Sequence, residues 1–423
     1  LKIINQRLFS HGILTKMRIL FLTDNFPPEG NAPATRTFEH AREWVAEGHD
    51  VTIITSAPNF PEGIVFKGYQ NKWLSKDTIY GINVWRVKTY ISPNEGFIRR
   101  TLDYLSYMLS SFFFGLFAKD ADVVIGTSPQ FFTVVSAWAL AKVKRAPFIF
   151  ELRDIWPAAI TTLGVMKKNQ VIKLLEKLEM FLYHQADHII PVTNSFKKEL
   201  IERGIAPIKI DVVLNGVDLS IYKPKTEKDE YLVRKFGLSG KFVVGYIGTH
   251  GLAHSLEYVL EAAKLVRSHS NIVFLFAGGG AYKKTLEELI DKEGLSNVVS
   301  ISRQPKELMP RIWSLCDVSL ISLKNAPIYS KVIPSKIFES MGMGLPMIIS
   351  VPNGEATEII RAHNCGIQVT PETPQEIASA VKLLFEDKSL IKLYSQNSSI
   401  AASRYGRKNL AKTFLTILKE KVI

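Results

Sequence analysis

Short, nearly continuous apolar runs separated by longer amphipathic stretches mark out this chain of 423 residues. In the first half the runs fall at 18–23, 51–55, 84–87, 123–126, 148–152 and 188–192. Between them, apolar residues recur at helical spacing over 34–47, 131–144, 169–184 and 195–203. The second half repeats the plan, with runs at 242–247, 272–276, 298–301, 318–321 and 347–350 and helical patterns at 255–267, 282–292 and 373–385. Strands apolar on both faces, alternating with helices, predict parallel sheets covered on both sides. The length exceeds one ordinary core and predicts two such doubly wound α/β domains, with a boundary near 204–209. Domains of this kind, facing each other, form a cleft at the carboxyl ends of their strands.

The run from Arg99 to Ala118 is the longest apolar stretch. Asp103 and several hydroxyl residues interrupt it, and the apolar core beyond Asp103 is too short to span a bilayer. Leu102, Leu105, Leu109, Phe112, Phe113 and Leu116 share one helical face. That pattern fits a core helix of the first domain, or a helix lying on a membrane surface with Arg99 and Arg100 at one end.

Candidate chemistry concentrates in Pro334–Pro346, which reads as a loop, a short helix and the return to a buried strand. Lys336 and Glu339 lie three apart and so share a helix face. At an opening turn with free N–H groups, this offers a cation for phosphate and an acceptor for hydroxyls; a plain surface Lys–Glu pair has the same spacing. Gly30 and Asn31, between the first strand and first helix, can bring backbone N–H groups to an anion, or can simply punctuate a turn. Glu151-Leu152-Arg153-Asp154 places three charges at the end of a buried strand, costly unless they face the cleft or pair internally. Residues 245–251 carry G-x-x-G-x-x-G, which is not the dinucleotide fingerprint, and no G-x-x-x-x-G-K-[ST] loop occurs. A nicotinamide enzyme and an NTPase are thereby disfavoured.

Four segments, in order, carry a family likeness: Asp24 to Ala32, Val213 to Asp218, Tyr246 to Gly251 and Pro334 to Pro346. From about Met17 onward the chain resembles the retaining GT-B glycosyltransferases of family 4. The resemblance implies a GT-B fold: an acceptor domain over 17–205, a nucleotide-sugar domain over 206–400, and a segment 401–423 whose helix, near 410–421, crosses back. It implies Glu339 on the donor ribose and Lys336 on the diphosphate. Gly30, Asn31, Gly248, His250 and Gly251 would lie along the phosphates and sugar, with Arg303 and Gln304 near the base. It further implies a metal-independent reaction without a protein nucleophile, in which the leaving diphosphate assists the incoming hydroxyl. Asp154 and Arg153 stand where relatives carry a histidine and an acidic residue, and are expected to orient or deprotonate the acceptor and to bind phosphate. Two departures stand out. Lys331 occupies the position eight before Glu339 where many relatives have a sugar-contacting glutamate, and residues 248–255 contain no Arg or Lys. Lys331 is expected to touch phosphate or an acidic or N-acyl group of the donor, or to face solvent.

Asn59-Phe60-Pro61-Glu62-Gly63 is similar to a bacterial surface-polysaccharide subset that includes fucosaminyltransferase-like enzymes. That likeness implies a UDP-sugar donor, such as UDP-N-acetylfucosamine, and an undecaprenyl-diphosphate-linked acceptor in O-antigen or capsule synthesis. It places the protein in the cytoplasm, peripheral on the inner face of the plasma membrane. A nucleotide-sugar epimerase of the same fold and a non-catalytic basic membrane- or polymer-binding protein are the alternatives.

Composition narrows this further. The formal net charge of +13 is spread over both halves, without the aromatic interleaving of a nucleic-acid platform, and suits an anionic membrane or diphosphate substrates. Cys316 and Cys365 are too few for a disulfide framework or metal cluster and read as buried thiols in a reducing compartment. Residues 1–16 lack the pattern of a secretory signal and are expected to be a dispensable extension.

Overall fold

The computed structural model describes residues 16–92, 97–156 and 169–422. The predicted extension, apart from Lys16, lies outside them. Two doubly wound domains form, as the alternation of apolar runs and amphipathic stretches predicts. The first holds a seven-stranded sheet built from β1 (Arg18–Leu22), β2 (Asp50–Ser56), β3 (Leu74–Ile79), β4 (Ile82–Val87), β5 (Val123–Thr127), β6 (Phe148–Leu152) and β7 (His188–Pro191), in the order β3-β4-β2-β1-β5-β6-β7. All pairs are parallel except β3 with β4. The second holds β8 (Phe242–Ile247), β9 (Ile272–Ala277), β10 (Val298–Ile301), β11 (Val318–Ser322), β12 (Met347–Ser350) and β13 (Gly366–Val369), in the order β10-β9-β8-β11-β12-β13. In each sheet the strand order reverses at the first parallel strand, β1 or β8, and a crevice opens beyond their carboxyl ends.

Alternation along β1 shows how the sheet is buried. Ile19 and Phe21 join one apolar cluster with Trp44, and Leu20 and Leu22 join another with Leu140 and Phe150. Two strands escaped the sequence reading because polar residues break up their apolar pattern, Ser-Lys-Asp-Thr in β3 and Gln368 in β13. The middle of β3 is Ser-Lys-Asp-Thr and largely exposed, as edge strands tend to be; β13 is four residues long and pairs only with β12.

The crossover between domains is fixed by the helix Ala32–Ala46. Arg36, Glu39 and Arg42 recur every third residue and so share a face. Arg36 is fully buried; it donates to Glu151 Oε1 at 2.7 Å and to the carbonyls of Leu214 and Val213 at 2.7 and 2.9 Å. Glu39 accepts from Arg407 Nε at 2.7 Å, and Arg42 donates to Asp218 at 2.9 Å. Outgoing and returning chains pair here: Val217 N donates to Tyr405 O and Arg407 N to Val217 O. A Cβ on Gly216 would lie 2.2 Å from Tyr405 O, so only glycine permits this approach. The chain leaves the first domain later than the predicted 205/206 boundary. Ile210 still bridges Ile189 of β7, and Val213 is buried in the first domain's core; the apolar residues of 205–213 hold that stretch on the sheet.

The last helix, Arg407–Val422, lies on the first domain. Trp44 Nε1 donates to Ala411 O at 2.9 Å, and the Trp44 and Phe414 rings meet edge-on at 5.2 Å. The predicted run at 99–118 forms the helix Phe97–Gly115. It turns Tyr107 and Ser111 inward and leaves Leu109 and Phe113 65% and 54% exposed, so its apolar stripe is wider than the core contact beneath it. No helix of the described residues is long and apolar enough to cross a membrane.

Candidate functional site

The helix Lys336–Gly342 begins just after Pro334 and points its first side chain back into the second domain. Lys336 is buried, its Nζ 3.7 Å from the centre of the Tyr246 ring, and among the described residues this ammonium has no hydrogen-bond partner. Tyr246 is held in place by its hydroxyl, which donates to Thr249 O at 2.7 Å. Burial pulls the lysine down to about 7, while Glu339 works in the opposite direction. A buried ammonium that sits over a ring face with its N–H groups unused is short of an anion. Glu339, one turn on, accepts from Trp313 Nε1 at 3.1 Å, and burial raises its pKa.

Two loops frame this lysine. Gly248 to Gly251 follows β8 and Gly278 to Gly280 follows β9. A Cβ on Gly278 would lie 1.8 Å from Gly248 O, and one on Gly280 2.5 Å from His250 O; both residues also have positive φ. Glycine is therefore what lets the loops interlock. His250 N donates to Gly279 O at 2.9 Å, yet neither nitrogen of its buried ring has a partner. Burial, then the nearby Lys283 and Lys336, push His250 down to about 3. Without an anion beside it, this ring is neutral at physiological pH.

Across the cleft, the first domain offers a loop wall tied together by a carboxylate that sequence reasoning missed. Glu29 is buried; it accepts from Phe26 N at 3.1 Å, Asn59 N at 2.9 Å and Phe60 N at 2.8 Å, so the loops after β1 and β2 are tied together. Asn31 caps the helix Ala32–Ala46 through Ala34 N and donates to Asn25 Oδ1; its side chain is committed to the loop. Gly30 faces Arg303 of the second domain, whose guanidinium would lie 3.7 Å from an added Cβ and which donates to Phe60 O at 3.5 Å. Gln304 turns back to Ser302 O at 3.0 Å. Lys331 does not line this cradle through its ammonium, which donates to Glu199 of the first domain at 2.7 Å.

The charges at the carboxyl end of β6 divide. Glu151 pairs inward with Arg36. Arg153 N and Asp154 N both donate to Ser128 Oγ, at 2.8 and 3.2 Å, and among the described residues no ion pair joins Arg153 to Asp154. Among the described residues, one buried guanidinium nitrogen of Arg153 has no partner. Burial raises Asp154 to about 6, with Arg153 opposing, and its charge is felt by Tyr329 of the second domain. A second acidic site was also missed. Asp103 lies one turn before Tyr107, whose hydroxyl donates to the carbonyls of Thr23 and Ile54; that helix face looks toward Asp24. Burial raises both carboxyls, Asp103 to about 7. Neither Glu29 nor Asp103 carries a local sequence signal, because each depends on loops brought together by the sheet. The arrangement can hold an anion at Lys336 and hydroxyls at Glu339, facing an acid of adjustable protonation on the opposite wall.

Comparison with known proteins bears on both halves. The family model for Glycosyltransferase Family 4 matches residues 34–221, and that for Glycosyl transferases group 1 matches 229–403. The chain is 27% identical to the putative colanic acid biosynthesis glycosyl transferase WcaI of Escherichia coli K12, over 79% of this chain and 83% of that one. It is 28% identical to an Escherichia coli UDP-Gal:alpha-D-GlcNAc-diphosphoundecaprenol alpha-1,3-galactosyltransferase over 44% of this chain and 49% of that one. The crystal structure of Anabaena HepE with UDP and glucose superposes with a TM-score of 0.71, at 18% identity, over 95% of this chain and 99% of that one.

Proposed function

Because the chain belongs to the GT-B glycosyltransferases, a family 4 domain preceding a group 1 domain, we propose that it moves a sugar from a UDP-sugar to a lipid-linked saccharide in bacterial surface-polysaccharide synthesis. The observation that carries this reading is the buried, unpartnered ammonium of Lys336 at the first turn of its helix, three residues from Glu339. In the proposed reaction Lys336 holds the diphosphate and Glu339, aligned by Trp313, holds the ribose hydroxyls. The bond from the anomeric carbon to the diphosphate oxygen breaks, and its electron pair leaves with the UDP. The acceptor oxygen bonds to the same carbon on the same face, with retention, and its proton passes to the departing diphosphate. Asp154 orients that hydroxyl, and Arg153 steadies phosphate charge. The chain's contribution is charge stabilisation and alignment; no metal ion is given a role. The named activities of WcaI and of the galactosyltransferase support the substrate class.

The acceptor's lipid requires a membrane surface nearby. Leu109, Phe113 and Phe117 are exposed along one side of the helix Phe97–Gly115 and its end. Lys144 joins that end to the neighbouring helix, Phe131–Lys144, through the Ala118 carbonyl, which brings exposed Val143 and the cationic Lys142 and Arg145 alongside. Apolar side chains rimmed by cations suit an anionic leaflet. The test is incubation with UDP-sugars and undecaprenyl-diphosphate saccharides, following UDP release and the anomeric configuration of the product. UDP release that requires the acceptor, with a retained anomeric centre, is the expected result. Nucleotide release that is indifferent to acceptor would instead favour the epimerase.

A further inference from the structure

Outside the crossover, the second domain grips the first domain's helix Asn194–Glu202 with one charge of each sign. Glu355, only 9% exposed, accepts four hydrogen bonds. Oε1 takes Asn194 N at 3.0 Å and Asn194 Nδ2 at 2.8 Å; Oε2 takes Ser195 N at 2.9 Å and Ser195 Oγ at 3.0 Å. Asn194 and Ser195 open that helix, so their N–H groups have no partner within it. Glu355 is itself the first residue of the helix Glu355–His363, and its carboxylate therefore sits at the positive ends of two helices from two domains. One turn beyond Ser195 on the same face, Glu199 receives Lys331 at 2.7 Å. Both prongs spring from one place: a Cβ on Gly354 would lie 1.9 Å from Ser330 O, so the segments bearing Lys331 and Glu355 are packed backbone to backbone.

We infer that Glu355 and Lys331 are positioning residues that clasp the helix Asn194–Glu202 and so set the distance between the two walls of the cleft. Neither side chain touches the reacting atoms. Lys331 is five residues before Lys336, and between them Val332 packs against the first domain's core. Tyr329, in the turn Pro327–Lys331, feels the charge of Asp154. The clasp thus joins the segment that leads into the diphosphate lysine to the wall that holds the acceptor. It also gives the lysine at position 331 a purpose that involves no donor contact.

The kinetic arm of the test rests on the proposed transfer reaction, and the scattering arm does not. Small-angle X-ray scattering of the full chain is expected to show a larger radius of gyration for Glu355→Ala than for the parent. With UDP-sugar and lipid-linked acceptor, kcat/KM should fall by at least about 10²-fold, since a misplacement near 1 Å alone costs that much and an opened cleft exceeds it, while UDP affinity holds. Lys331→Glu and Glu199→Lys should each open the protein and slow transfer, and the double exchange should restore both, which a donor-binding lysine would not allow. Parent-like scattering of Glu355→Ala, or a double exchange as defective as its singles, would overturn the clasp. Restored compactness without detectable transfer in any protein, the parent included, would keep the clasp and sink the reaction instead.

Discussion

Replacing Lys336 by methionine keeps a long apolar stem and removes one buried ammonium. Burial has brought this lysine from the ordinary range down to about 7, a penalty on the charged form on the order of 5 kcal/mol. With the folded pKa below the unfolded one, the unfolded chain holds more protons between the two values. The penalty is therefore fully present below about pH 7 and fades as pH rises toward the unfolded value. Lys336→Met should be more stable than the parent at about pH 6, with a margin that shrinks by about pH 9. Ligand binding runs the other way. A diphosphate beside Nζ returns the lysine toward roughly 10.4, so UDP binding should take up about 0.9 proton here at about pH 8 and about 0.1 at about pH 6. Affinity should fall roughly fivefold between about pH 7 and 8 from this group. Calorimetric titration in two buffers of different ionisation enthalpy measures the uptake, and subtracting Lys336→Met removes the proton chemistry of UDP itself. Equal proton uptake by parent and variant at about pH 8, or UDP bound as tightly by the variant, would refute the reasoning.

Asp154→Asn should lower turnover about 10²-fold, the scale of a misplaced acceptor hydroxyl, with UDP affinity intact; in the parent, rates should fall below about pH 6, where burial leaves this carboxyl protonated and less able to hold that hydroxyl. Steady-state kinetics across pH check both. Phe414→Ala empties a site between Trp44 and His40 and should cost about 3–5 kcal/mol, read as a lowered denaturation midpoint. Leu109→Glu with Phe113→Glu exchanges exposed apolar surface for charge and should reduce partition onto anionic vesicles more than tenfold, since each side chain contributes about 1.5–3 kcal/mol on burial; parent-like flotation would remove that helix from the membrane account.

The alternation of apolar runs with amphipathic stretches was enough to read both sheets, because a strand buried on both faces writes its burial directly into sequence. Strands β3 and β13 were not legible, because Ser-Lys-Asp-Thr in one and Gln368 in the other interrupt the apolar run. Lys336 and Glu339 were legible for a similar reason: their relation is one helical turn and needs no tertiary knowledge. Glu29, Asp103 and the Glu355 clasp were not, since the groups they meet lie 30, 79 and 161 residues away and only the folded topology brings them together. Lys331 shows the limit of reading by resemblance. Its position matches a donor contact in relatives, yet its partner, Glu199, is on the other domain. His250 is a related case, where a basic residue type in a phosphate-like loop is held neutral by burial.

The central claim is a nucleoside-diphosphate site built on Lys336 and Glu339. Calorimetric titration of the full chain and of Glu339→Ala against UDP, GDP, ADP and NAD tests it most directly. The account predicts selective UDP binding by the parent and a loss of affinity of about tenfold or more in the variant, the value of a charge-assisted hydrogen bond. No nucleotide binding by the folded parent, or UDP binding unchanged by Glu339→Ala, would contradict it.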